Sequence, residues 1–100
     1  MTPDELRAIM DFLRGNVRLL DQGIGGEAAI GFDAPTLDEM TRAGLDPEGC
    51  GQILNAPWWE EMATDIIETP EMCDAEDSPE QVLEYAKDVV SEYIRKRARL

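Results

Sequence analysis

The residues of this sequence that could do chemistry are mostly carboxylates. The stretch from Glu60 to Asp77 holds eight acidic residues and no lysine or arginine. Adjacent carboxylates such as Glu60 and Glu61 could serve as a general acid and base, or could hold a cation. The acids of residues 74–77 do not form a calcium loop, because Pro79 stands where that loop needs its turn glycine. Neither group of acids matches the residue pattern of a known catalytic or metal site. We therefore expect no catalytic residue, no dedicated metal site and no cofactor.

The other side chains that usually do chemistry are scarce. Histidine is absent, which removes the commonest general base and the commonest transition-metal ligand. Cys50 and Cys73 are too few for a zinc site, and acids near Cys50 disfavour its thiolate form. The N-terminus is acidic, unlike a secretory leader, so we expect a cytoplasmic protein with two reduced, partly buried thiols. A disulfide between them is the alternative. The sequence does not predict an enzyme.

The charge of the chain restricts its partners. With 22 acidic and 9 basic residues the formal net charge is −13, so phosphate backbones and anionic membranes repel the protein and basic surfaces attract it. We expect no direct contact with nucleic acid or membrane. The basic residues lie towards the two ends, and residues 43–86 contain only acidic charges. This segregation predicts a continuous anionic surface if folding gathers the middle of the chain on one face.

These observations lead to a functional expectation. We expect a small acidic, non-enzymatic module that binds a basic protein partner, in the form of an inhibitor or a nucleic-acid mimic. The residues expected to contact the partner are Trp58, Glu60, Glu61, Asp65, Glu68, Glu71, Asp74, Glu76 and Asp77. The alternative is a homo-oligomeric structural or accessory subunit whose acidity serves only solubility. Its homodimer would form through the helix of residues 79–100, with Val90 and Ile94 at the interface.

Trp58 and Trp59 are expected to play different roles. On a helix they point about 100° apart, and Trp59 keeps phase with Met62 and Ile66, which predicts that it lies in the core. Trp58 is then partly exposed and suited to anchor an interface. Packing of Trp58 under a glycine-rich loop is an equal alternative.

Helical periodicity predicts the elements that position these side chains. Ser78 with Gln81 forms a capping box, and the apolar stripe that follows predicts a helix to Leu100. A second capping box at Thr2 starts an N-terminal helix, whose apolar phase indicates one helix from Pro3 to about Leu20. The alternative is a stop at Gly15 followed by a short strand, residues 17–20.

A glycine-rich loop is expected over residues 21–35. Residues 23–28 match the letters G-x-G-x-x-A of the dinucleotide fingerprint. That fingerprint needs a preceding strand and a parallel sheet, so turn glycines are the better interpretation. A short hairpin through residues 27–32 remains open.

Shorter helices are expected in the middle of the chain. Thr36 caps a helix to Ala43 that stops at Gly44, and a second helix runs from Pro47 to Leu54. The pair is arranged as a helix-turn-helix, but its second helix contains no lysine or arginine, which argues against DNA recognition. A fourth helix is expected to open at residues 55–57 and to end by Glu68, since Pro70 disfavours helical geometry at Thr69. An acidic loop, residues 69–77, follows.

These elements predict an all-α fold. We expect a single helical domain over residues 1–100, built as a compact bundle of four to five helices with a glycine-rich loop after the first helix. The N-terminal helix, the helix of residues 58–68 and the C-terminal helix should form most of the core.

Overall fold

The fold is mostly helical and contains a small two-stranded sheet. The computed structural model describes residues 1–20 and 28–98. In chain order, its elements are α1 (Pro3–Gly15), β1 (Val17–Leu19), β2 (Ile30–Phe32), α2 (Leu37–Arg42), α3 (Pro47–Leu54), α4 (Trp59–Ile67), a 3₁₀ helix (Thr69–Met72) and α5 (Pro79–Arg97). None of the described helices is long and apolar enough to cross a lipid bilayer.

Helix α5 is the longest element, and its predicted start is confirmed. The Ser78 hydroxyl accepts a hydrogen bond from the Gln81 backbone N–H, and the Gln81 side chain accepts one from the Ser78 N–H. Both bonds satisfy donors that the first turn of a helix leaves free. The helix ends at Arg97, and residues 99 and 100 lie outside the described part of the chain.

The core forms where α5 packs against α1 and α4, as periodicity predicts. The largest side chains that are fully shielded from solvent come mostly from these three helices: Ile9, Leu13, Met40, Met62, Ile66, Ile94, Val90 and Cys50. Removing such apolar surface from water is the main stabilising contribution to the fold.

The prediction of a single helix to Leu20 is wrong. Helix α1 ends at Gly15, where Asn16 caps it and donates its side-chain amide to the Asp33 carbonyl. The chain continues as β1, and Val17 faces the core while Arg18 faces solvent. Because Val17 points inwards in either arrangement, its apolar phase did not distinguish helix from strand.

The small sheet joins two segments that are distant in the sequence. Strand β1 pairs antiparallel with β2, with Val17 opposite Phe32 and Leu19 opposite Ile30. Residues 30–32 form one strand of this pair, so the hairpin considered through residues 27–32 is not found in its described part, residues 28–32. The predicted loop glycines 23, 25 and 26, and most of the G-x-G-x-x-A letters, lie outside the described residues.

Helices α2 and α3 follow the predicted capping signals. Gly44 adopts a positive φ of 88°, and the N–H groups of Gly44 and Leu45 donate to the carbonyls of Thr41 and Met40. This is the bonding pattern of a Schellman stop, which favours glycine at the left-handed position. Helix α3 starts where the Asp46 carboxylate accepts from the Gly49 N–H at 2.8 Å.

Helix α4 begins later than predicted. Asn55 does not open it but ends α3, where its side-chain amide donates to the Gly51 carbonyl. Helix α4 starts at Trp59 without a side-chain cap. The predicted acidic loop begins with the 3₁₀ helix, in which the Thr69 hydroxyl donates to the Asp65 carbonyl at 2.9 Å. The all-α prediction therefore holds in the coarser sense of a mostly helical fold, with the β1–β2 pair as its correction.

Candidate functional site

The acidic residues between Glu60 and Asp77, here called the acidic segment, run from α4 through the 3₁₀ helix to the loop before α5. Those exposed to solvent are Glu60, Glu61, Asp65, Glu68, Glu71, Asp74 and Glu76. Asp77 is half-buried, and its carboxylate accepts from the Asp74 N–H. Most of the predicted contact carboxylates therefore face water.

The described arginines and lysines form their ion pairs with acids outside the acidic segment. The acids in these pairs are Asp4, Asp33, Asp38, Glu84, Asp88 and Glu92. Within residues 1–20 and 28–98, no salt bridge reaches the acidic segment. Repulsion among these carboxylates is therefore not offset by a salt bridge in this part of the chain.

The acids of α4 are arranged against two local rules of helix stability. Glu61, Asp65 and Glu68 follow each other at spacings of four and three residues, so like charges are neighbours on one face. The last turn of α4 contains no basic residue, although the negative end of the helix dipole favours cations there. Packing of Met62 and Ile66 in the core stabilises the helix despite this pattern.

A groove lies between the end of α4, the 3₁₀ helix and α5. Its volume is about 360 Å³, and it is lined by Asp65, Glu68, Thr69, Met72, Cys73, Tyr85, Val89, Glu92 and Tyr93. We call the apolar lining residues Met72, Tyr85, Val89 and Tyr93 the floor of the groove, and the lining carboxylates of Asp65, Glu68 and Glu92 its rim. No lysine or arginine is among these lining residues.

The groove brings together only part of the predicted contact set. Asp65 and Glu68 line it, and Glu61 lies close enough to Tyr93 to affect its pKa. The charges of Asp77 and Asp74 act on the Cys73 thiol, which also lines the groove. The remaining predicted acids, at positions 60, 71 and 76, are not among the lining residues.

Tyr93 links the groove to the core. Its hydroxyl donates a hydrogen bond to the Asp65 carboxylate, and its ring lies 5.9 Å from that of Trp58. Burial raises the pKa of Tyr93 well above its usual range, and the hydrogen bond to Asp65 and the charges of Asp65 and Glu61 raise it further. The phenol therefore keeps its proton and holds Asp65 at the rim. The Arg97 guanidinium lies 5.7 Å from the same ring, a distance at which it is attracted to the aromatic face.

The prediction that Trp58 is a partly exposed anchor is wrong. Trp58 is only 9% exposed and belongs to the core, whereas Trp59 is half-buried and packs against Phe32 of β2 at 5.8 Å. Trp58 precedes the helix as its N-cap residue. Helical phase therefore does not relate its direction to that of Trp59.

Val90 and Ile94, the residues expected at a homodimer interface, are also buried. Both side chains are fully shielded from solvent in the core of the single chain. A homodimer through α5 would have to use another face of this helix. The exposed or half-buried face holds Tyr85, Val89 and Tyr93.

Seven of the nine lining residues were not among the predicted contacts: Thr69, Met72, Cys73, Tyr85, Val89, Glu92 and Tyr93. Tyr85, Val89 and Tyr93 recur every four residues, so they form a second stripe beside the buried one on α5. The width of the apolar pattern on α5 was the available signal, since one buried face cannot accommodate so many positions. The Glu92 carboxylate in this region accepts from the Lys96 ammonium at 3.0 Å.

The two thiols are free, and neither is activated. Burial raises the pKa of Cys50, and the Asp46 charge adds to the effect. Burial likewise raises the pKa of Cys73, whose Sγ donates to the Thr69 carbonyl at 3.2 Å. A thiol with a raised pKa is a poor nucleophile. In the described ranges, no group of three acidic or cysteine side chains is placed to hold a metal ion.

Comparison of this chain with family models, curated proteins and solved structures finds no match.

Proposed function

We propose that this protein is a non-enzymatic module that binds a basic protein partner through the acidic segment. The observation that carries the proposal is the charge pattern of α4. Asp65 and Glu68 occupy the end of a helix where acids are unfavourable, and no described basic side chain forms a salt bridge with either of them. Local rules of stability are most often broken at functional sites, and of these two carboxylates only that of Asp65 has a described hydrogen-bond partner, the Tyr93 hydroxyl.

The charge of the acidic segment defines the class of partner. Exposed carboxylates attract cationic surfaces over a Debye length of about 8 Å at physiological salt, and they speed the encounter with a basic protein. Proteins that bind nucleic acid present such cationic surfaces. An inhibitor or nucleic-acid mimic directed at one of them is therefore the specific form of this function that we propose.

Polylysine binding tests this function with a defined probe. In the variant Glu61→Gln/Glu68→Gln, we expect affinity for polylysine to fall between about 2-fold and about 30-fold, because two exposed ion pairs are lost. Isothermal titration calorimetry over a series of NaCl concentrations measures both the affinity and its salt dependence.

The control variant Asp11→Asn/Glu48→Gln removes the same amount of charge from α1 and α3. Both positions are exposed and take part in no salt bridge between described residues. The control should bind polylysine nearly as the parent protein does. Equal losses in the two variants would mean that binding follows net charge alone, and the proposal would be rejected.

A further inference from the structure

We propose that the groove receives an apolar side chain from a basic amphipathic segment of the partner protein. This inference rests on the proposed function and specifies the chemistry of the partner. It assigns the floor of the groove to apolar contact and its rim to the lysines or arginines that flank the inserted side chain.

The floor is formed by apolar side chains that remain open to solvent. Met72 is 86% exposed and Tyr85 is 44% exposed, and both line the groove beside Val89 and Tyr93. A single exposed apolar residue needs no explanation. Here, however, two of them, Met72 and Tyr85, line the same groove, and methionine and tyrosine are residue types that adapt well to a bound surface.

The shape of the groove favours a segment of protein over a small molecule. A pocket for a small ligand usually encloses about 70–90% of the ligand surface. The lining residue Met72 is almost fully exposed, so the groove is too open to enclose a ligand in this way. Insertion of one side chain from an amphipathic helix requires only an open apolar groove.

The charge of the rim selects the occupant. Asp65 and Glu68 contribute carboxylates from the end of α4, Glu92 contributes one from α5, and no cationic side chain of the described residues lines the groove. Lys96 already pairs with Glu92, so the α4 side of the rim is the part open to a new cation. Such a rim repels anionic membranes and nucleic acid and complements a basic segment.

An amphipathic helical peptide of leucine and lysine provides the test. A scrambled peptide of identical composition is its control. The two peptides have the same charge, but only the first gathers its leucines on one face. We expect the protein to bind the amphipathic peptide more tightly than the scrambled one. In the variant Met72→Ser/Tyr85→Ser, the affinity for the amphipathic peptide should fall by about 5-fold or more. Affinity for the scrambled peptide should not change.

The variant Ile67→Ser is the matched control. Ile67 is 54% exposed, lies on α4 and does not line the groove, so its loss should leave both peptides unaffected. Methionine-methyl NMR adds a direct readout. The Met72 signal should shift when the amphipathic peptide is added, while the signals of the fully buried Met40 and Met62 should stay in place.

The possible results separate the two proposals. In one outcome, both peptides bind with equal affinity, Met72→Ser/Tyr85→Ser does not change these affinities, and Glu61→Gln/Glu68→Gln lowers both. The groove inference is then wrong and the proposed function stands. If Glu61→Gln/Glu68→Gln weakens neither peptide, the proposed function fails. Light scattering that shows a dimer dissociated by Met72→Ser would assign the groove to a second copy of this chain, and would also overturn the inference.

Discussion

Tyr93 is the side chain through which the core and the rim of the groove affect each other. Its ring packs beside the buried Trp58, and its hydroxyl holds the exposed Asp65. The substitution Tyr93→Phe keeps the ring and removes only the donor. We expect the free energy of unfolding to fall by about 1 kcal/mol, the usual contribution of one hydrogen bond.

The effect of Tyr93→Phe should depend on pH in a defined direction. The pKa of Tyr93 is raised on folding from a usual value of 10.0, so the stabilisation is fully present below pH 10. It is lost as pH rises further, because the unfolded tyrosine ionises while the folded one keeps its proton. Chemical denaturation of both proteins should show a difference that shrinks above pH 10. A constant difference at alkaline pH would contradict the assigned environment of Tyr93.

At the residue scale, the sequence predicted capping positions better than the direction of single side chains. Thr2, Thr36 and Ser78 each form a capping box with the residue three positions later, and these boxes were predictable because both partners are close in the sequence. The burial of Trp58 was not, since it depends on where α4 begins and on Tyr93, which is 35 positions away in the sequence.

The same division between local and distant interactions holds for elements. The end of α2 at Gly44 follows from the residues at that position. Strand β1, in contrast, exists because it pairs with β2, which lies further along the sequence. The helical spacing of apolar residues continues into β1, so the sequence of this segment does not distinguish a helix from a strand. Only its pairing with β2 does. Similarly, the groove depends on how α5 lies against α4 and the 3₁₀ helix. The acids of its α4 rim were predicted and its apolar floor was not.

Arg14 connects α1 to α5, and its replacement tests how strongly the two helices are joined. The guanidinium donates to the Lys87 carbonyl at 3.0 Å, to the Ser91 hydroxyl and to the Asp88 carboxylate at 3.1 Å. The Arg14 side chain is only 25% exposed. We expect Arg14→Met to lower the free energy of unfolding by about 1–3 kcal/mol, since a partly buried charged group loses several hydrogen bonds.

Urea denaturation with Arg7→Met as the control measures this contribution. Arg7 also lies on α1, but its single pair with Asp4 is far more exposed, so its loss should cost about 0.5 kcal/mol or less. Equal effects of the two substitutions would show that the contacts of Arg14 contribute no more than an ordinary surface ion pair.

At the scale of the whole molecule, the net charge of −13 implies self-repulsion throughout the fold. The arginines of α1, β1 and α2 relieve this repulsion where they pair with nearby acids. The acidic segment receives no such pairing from the described residues. We therefore expect charge repulsion to lower the free energy of unfolding most strongly at the proposed binding surface.

The substitution Glu68→Gln tests whether binding and stability oppose each other at this surface. Glu68 caps the C-terminal end of α4 and lies three residues from Asp65, so its removal relieves both an unfavourable dipole interaction and a like-charge pair. We expect the free energy of unfolding to rise by about 0.3–1 kcal/mol while affinity for polylysine falls.

Glu48→Gln is the matched control, because Glu48 lies in the first turn of α3, where an acid is favourable. In this control the free energy of unfolding should fall by about 0.3 kcal/mol, and the affinity for polylysine should not change. Added salt should reduce both changes in stability, because it screens exposed charges. If Glu68→Gln instead lowered stability or left polylysine binding unchanged, a conflict between fold and function could not explain the acidic end of α4.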